Sequence, residues 1–118
     1  MATLTTYSAV VSNAGNNTLI AAPGAGLRIV PVFVLAQNTT TTADTLILYS
    51  GPSNTGTKLA TVLAQNQGEG IVFDTVFAAD DGKVYQVKCG ENKALVLDKT
   101  QAVATNVTIW YYIESSFA

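Results

Sequence analysis

The sequence predicts an all-β single domain, an antiparallel β-sandwich of jelly-roll type. Three observations predict it. Thr, Val, Ile and Tyr, the residues that fit a pleated half-buried surface, recur along the chain, and Gly or Asn clusters interrupt them at short intervals. No segment sustains the i, i+3, i+4 spacing of an amphipathic helix over three turns. At 118 residues the chain has the length of one domain and can bury about two-thirds of the surface its unfolded form exposes.

The expected strands are Leu4–Val11, Asn17–Ala21, Leu27–Ala36, Thr45–Ser50, Lys58–Ala64, Gly70–Phe77, Val84–Cys89, Ala94–Asp98 and Thr105–Glu114. Residues 1–11 form either the first strand or an N-terminal arm leading into it. "SNAGNN", "SGPSNTG" and "ADDGK" supply the Asn, Asp, Pro and Gly that tight connections need, and "CGENK" separates two short apolar runs. The polar tract "NTTTTAD" reads as an exposed, mobile connection. Val-Leu-Ala-Gln-Asn occurs twice, at Val34–Asn38 and Val62–Asn66, each time where an apolar run gives way to a polar loop.

"AAPGAGLR" could be taken for a phosphate loop. Such a loop leads from a strand into a helix whose first amides hold the phosphate. Here Gly24 and Gly26 are followed by Leu-Arg-Ile-Val-Pro-Val-Phe-Val, β-branched and apolar, with a proline that would break a helix interior. Pro23, Gly24 and Gly26 are therefore expected to form a structural turn between strands. Arg28, the single arginine, is expected to pair with a carboxylate across that turn or across a subunit contact.

Two strands carry more apolar surface than a sandwich core needs. "RIVPVFVLA" is apolar at nearly every position, the pattern of a strand covered on both faces, and Pro31 suits an edge, a bulge or a strand beginning. The final strand places Val107, Ile109, Tyr111 and Ile113 on one face and Thr108, Trp110 and Tyr112 on the other. The surplus is expected to form an oligomer interface, with Val32, Val34, Trp110, Tyr111 and Tyr112 as contact residues. Charged residues make up only 12% of the chain, which fits a surface partly covered by other subunits.

Chemistry is sparse. There is no histidine, so neither a Ser-His-Asp nor a Cys-His arrangement is possible. The eight carboxylates are scattered, mostly in or beside loops; nothing pairs two for glycoside hydrolysis, and no catalytic residue is assigned. Asp80 and Asp81 in "ADDG" lack calcium-loop spacing, and Cys89 stands alone, so neither a metal nor a cofactor is expected. Net charge −2 without a basic block argues against nucleic acid, and no apolar run approaches the ~20 residues of a membrane helix. No signal peptide is expected from "MATLTTYSAVVSN".

The succession "NNTLIAAPGAGLRIVPVFVLAQNTT", "LILYSG", "TVLAQNQGEGIVFD", "VKCGENKALVL" and "VTIWYYIE" resembles small bacteriophage virion proteins, in particular capsid decoration (cement) proteins. The resemblance runs from about Val10 to Ile113. Its matching positions, Pro23, Gly24, Gly26, Leu27, Arg28, Cys89, Gly90, Glu91 and Leu95, read as turn and core positions. It implies a jelly roll or sandwich without catalytic residues. It also implies a homotrimer seated on the capsid exterior, with the major capsid protein as partner. A fibre or spike module that binds host-surface carbohydrate through exposed aromatics is the alternative expectation.

Overall fold

A strand with apolar residues at every second position has one face to bury, and two such sheets bury each other. The computed structural model describes residues 3–74, 76–78 and 80–117. Among them the strands are β1 (Thr5–Val11), β2 (Gly15–Ile20), β3 (Leu27–Asn38), β4 (Asp44–Ser50), β5 (Thr57–Ala64), β6 (Gly70–Asp74), β7 (Val76–Ala78), β8 (Val84–Gln86), β9 (Leu95–Lys99) and β10 (Thr105–Ser115). One four-stranded sheet has the order β1-β10-β3-β6, the other β2-β9-β4-β5, and β7 and β8 form a separate ribbon.

The pairing follows one rule. β1 pairs with β10, β2 with β9, β3 with β6 and β4 with β5, all antiparallel, as in a long two-stranded ribbon. Wrapping that ribbon brings β10 against β3 and β9 against β4, which closes the two sheets. This is a jelly roll, the fold class the strand pattern predicts. Its core takes the inward residues of both sheets, among them Ile29, Val34, Leu46, Leu48, Leu97 and Ile109. Each such aliphatic side chain contributes roughly 1.5–3 kcal/mol on burial.

Three departures from the sequence-based expectation have local causes. The expected strand Gly70–Phe77 divides after Asp74, because the segment Val76–Ala78 leaves β3 to pair with β8. Thr75 and Ala79, the latter in the "ADDG" turn, lie outside the described residues, as do Met1 and Ala2 of the expected arm. The expected strand Val84–Cys89 ends at Gln86. The chain beyond it runs along the part of β3 that β6 does not reach, with Cys89 N donating to Ile29 O at 2.9 Å and Asn92 N to Leu27 O at 2.7 Å. Finally, "NTTTTAD" is exposed at Thr41, Thr42 and Ala43 as expected, but it is tied at its start by side-chain bonds. Buried Asn38 accepts from Thr40 N and donates to Thr42 O and Ala64 O. The bond to Ala64 also joins the two Val-Leu-Ala-Gln-Asn copies, which end at one corner of the sandwich.

β3 explains its own composition. Opposite it, Trp110 pairs with Phe33 and Tyr111 with Pro31, so Val32 is an extra residue in a bulge. Ile29, Val30 and Pro31, before the bulge, are all buried within this chain. That half of the run needs no second subunit, contrary to the expectation for the whole of it.

Candidate functional site

The glycine turn is closed rather than open to an anion. Gly24 and Gly26 both have positive φ, 117° and 77°, which favours glycine at these positions. Leu27 N donates to Gly24 O at 3.2 Å, and two amides of the turn are already occupied. Gly24 N donates to Asn92 Oδ1 at 2.9 Å and Gly26 N to Glu91 Oε2 at 2.7 Å. A carboxylate of this chain thus occupies a place a phosphate would need, and Pro23, Gly24 and Gly26 are joined to the "GENK" segment.

Arg28 finds its carboxylate within the chain. It faces Glu114 across the β3–β10 ladder, and its Nε donates to Glu114 Oε2 at 2.7 Å. Lys88 Nζ reaches the same oxygen at 2.8 Å, and Tyr112 Oη donates to Gln86 Oε1 at 3.0 Å. These bonds draw the segment after β8 over one end of the outer sheet face. The Lys88 bond first, and after it Arg28, outweigh a burial penalty and hold the Glu114 carboxyl below its ordinary range. Folded Glu114 therefore binds its proton more weakly than unfolded Glu114. The stabilisation is complete above the unfolded pKa and is lost as pH falls through the depressed folded value. Glu114→Gln is expected to flatten this acid limb. Thermal midpoints of both proteins, measured from neutral pH down through the carboxylate range, should converge at the acid end; parallel curves would refute the assignment.

The rest of that outer face is apolar and open. Cross-strand register places Trp110 beside Phe33 and Leu35 beside Val72, with Val10 on the same outer face further along β1, opposite Asn106. Trp110 is 45% exposed, Phe33 38%, Val72 65% and Val10 63%. The rim is mostly Thr, Ser, Asn and Gln, with Asp74 a charged member on β6. The outer face of the opposite sheet carries Asn16, Thr18, Thr45, Thr61, Lys58 and Asp98 together with Ile47, Tyr49 and Leu63, the last 54% exposed, but no tryptophan or phenylalanine. What distinguishes the outer face of the β1-β10-β3-β6 sheet is its exposed aromatic pair, Trp110 and Phe33, which core packing does not require there.

Of the residues expected at an interface, Trp110 lies in this patch, and Val32 is half-buried at the bulge beside it. Tyr112 is half-buried beneath its bond to Gln86. Val34 and Tyr111 are corrected. Val34 is fully buried between the sheets and Tyr111 packs on the core, because the alternation of β10 and the shift at the bulge turn both inward. Phe33 belongs to the run expected at the interface, and Val10 and Val72 join the face without having been expected there. The alternation of β1 and β6 could have placed Val10 and Val72 on outer faces, but only the pairing shows those faces to be one surface.

No cavity opens among the described residues, and no three of His, Cys, Asp and Glu gather there to hold an ion. Cys89 is buried, and its surroundings push the thiol up to about 11, well away from a reactive thiolate. The carboxylate with the most elaborate setting is Asp44, fully buried with Lys99. Simple alternation was the available signal: Asp44, Leu46, Leu48 and Ser50 share one face of β4, and Leu95, Leu97 and Lys99 share one face of β9. No family model matches the chain, and no curated protein matches it.

Proposed function

We propose that the protein is a non-enzymatic structural component of a bacteriophage virion, a decoration protein that binds the capsid exterior as a homotrimer and stabilises the shell. The observation that supports this reading is the open apolar face of the β1-β10-β3-β6 sheet, centred on Trp110 and Phe33. Aromatic anchors in a nearly uncharged field with a polar rim are the anatomy of a protein–protein interface. The virion and the capsid enter through the resemblance of the sequence to decoration proteins. A protein that binds only the assembled shell stabilises it by mass action, and three identical contacts raise avidity above that of one.

The test is co-sedimentation of the purified protein with capsids lacking it. Saturable binding in multiples of three per shell is expected. No binding to intact shells, together with binding on a glycan array, would transfer the reading to a carbohydrate-recognising fibre module. For the self-contact, Trp110→Asp is expected to weaken association by at least ~2 kcal/mol, roughly 30-fold in dissociation constant. Light scattering with a circular-dichroism control for folding checks this. Wild type that is monomeric at the same concentrations would eliminate the trimer.

A further inference from the structure

A lysine and an aspartate with no exposed surface lie in contact at one edge of the core. Lys99 ends β9 and Asp44 begins β4, the neighbouring strand, one diagonal step apart on the inward face. Lys99 Nζ donates to Asp44 Oδ2 and, at 2.6 Å, to Thr105 Oγ1. The other carboxylate oxygen, Oδ1, accepts from Thr100 N, Thr100 Oγ1 and Gln101 N, each at 3.0 Å. An amine and a carboxyl are thus held together away from water, with three donors aimed at one carboxyl oxygen.

We propose that Lys99 and Asp44 condense to an intramolecular isopeptide bond in the mature protein. The ammonium first passes a proton to Oδ2, leaving a neutral amine and a carboxylic acid. The Nζ lone pair then attacks Cγ; the C–N bond forms as the C=O electron pair moves onto Oδ1. The three donors on Oδ1 stabilise the charge that develops there, as an oxyanion hole does. A proton passes from Nζ to the adjacent Oδ2, the electron pair on Oδ1 re-forms the carbonyl, and the C–Oδ2 bond breaks to release one water. Ammonium plus carboxylate become amide plus water, with no oxidant or co-reactant.

The surroundings favour the product. Two buried charges are replaced by a neutral amide, which removes the desolvation cost of an ion pair. Oδ1 keeps its three donors as the amide carbonyl, and the new N–H can donate to Thr105 Oγ1. Fixed proximity supplies the encounter; oriented intramolecular reactions reach effective concentrations of about 10⁵ M or more. Burial pushes the Asp44 carboxyl up, but the bonds from Lys99, Thr100 and Gln101 outweigh it and hold the group below its ordinary value. The ion pair is therefore the resting state before reaction, and formation of the neutral pair makes the step slow.

Intact-mass spectrometry of denatured wild-type protein, fresh and after prolonged incubation in the folded state, tests this. The expected mass is one water below that of the sequence. A tryptic digest should contain residues 29–58 joined to residues 94–118, uncleaved at Lys99. Lys99→Met should run at full mass. Full mass in aged, folded wild type overturns the proposal. So does a water loss that maps to Asp81–Gly82 as a linear succinimide peptide.

Discussion

Relative to protein in which Lys99 and Asp44 have not yet condensed, Asp44→Ala is expected to lower the unfolding free energy by about 3–5 kcal/mol, the usual consequence of removing one partner of a buried ion pair. Lys99 would retain its ammonium, fully buried, with Thr105 Oγ1 as its remaining partner among the bonds described. The amide of Gln101 would lose its acceptor as well, and that of Thr100 would keep only its longer bond to Thr45 O at 3.3 Å. Lys99→Met is expected to be milder, because Asp44 would keep all three donors on Oδ1 and the methionine would fill much of the lysine's volume. The double variant should lose less than the sum of the two, as coupled neighbours do. Guanidinium denaturation of the three variants provides the comparison. Lys99→Met at least as damaging as Asp44→Ala would show that the Oδ1 donors do not matter. A whole domain is stable by only about 5–15 kcal/mol, so Asp44→Ala brings this one close to its threshold.

Gly70→Ala is the second large effect. Gly70 opens β6 opposite Gln37, and a Cβ there would lie 1.9 Å from the carbonyl oxygen of Ala36 and 2.9 Å from Gln37 Cα. Both obstacles are backbone of the neighbouring strand, so no rotamer change relieves them. Either β6 moves away from β3 or its register is lost, and Ile71 leaves the core with it. The expected loss is about 3 kcal/mol or more, at the upper end for overpacking. For a domain of this size that lowers the melting temperature by roughly 12 °C or more. Hydrogen exchange should show the amides of β6 losing protection while those of β9 keep theirs. An unchanged melting temperature would mean that the two backbones do not approach so closely.

Much of the fold is legible in the sequence because alternation and turn chemistry are local. Eight of the nine expected strands persist as single strands, with ends within a few residues, and only Gly70–Phe77 divides. The proline-bearing strand after "PGAGLR" suffices to exclude a phosphate loop, yet the partners of its amides, Glu91 and Asn92, lie 65 and 68 residues away. The candidate surface is half legible. Trp110 announces itself as a surplus aromatic, whereas Val10 and Val72 come to share its face only through the pairing of β1 and β6 with distant strands. Val34 is misplaced because a period-2 reading cannot see a bulge at Val32. Lys99 escapes notice because it lies just past the expected strand Ala94–Asp98, where a lysine is ordinarily solvated.

The place of β10 has a consequence for how the molecule is made. It leaves the ribosome after the other described strands, yet it occupies an interior slot, with β1 on one side and β3 on the other. Thr5 waits for Tyr111. Until β10 emerges, the first and third strands present open edges, the form in which chains pair with the wrong neighbour. Contacts of such long sequence separation also make folding slow. The carboxyl-terminal strand therefore acts as a keystone laid last, and crowding it at that moment, with a bulky fusion or with a neighbouring nascent chain, favours strand exchange between molecules over closure within one.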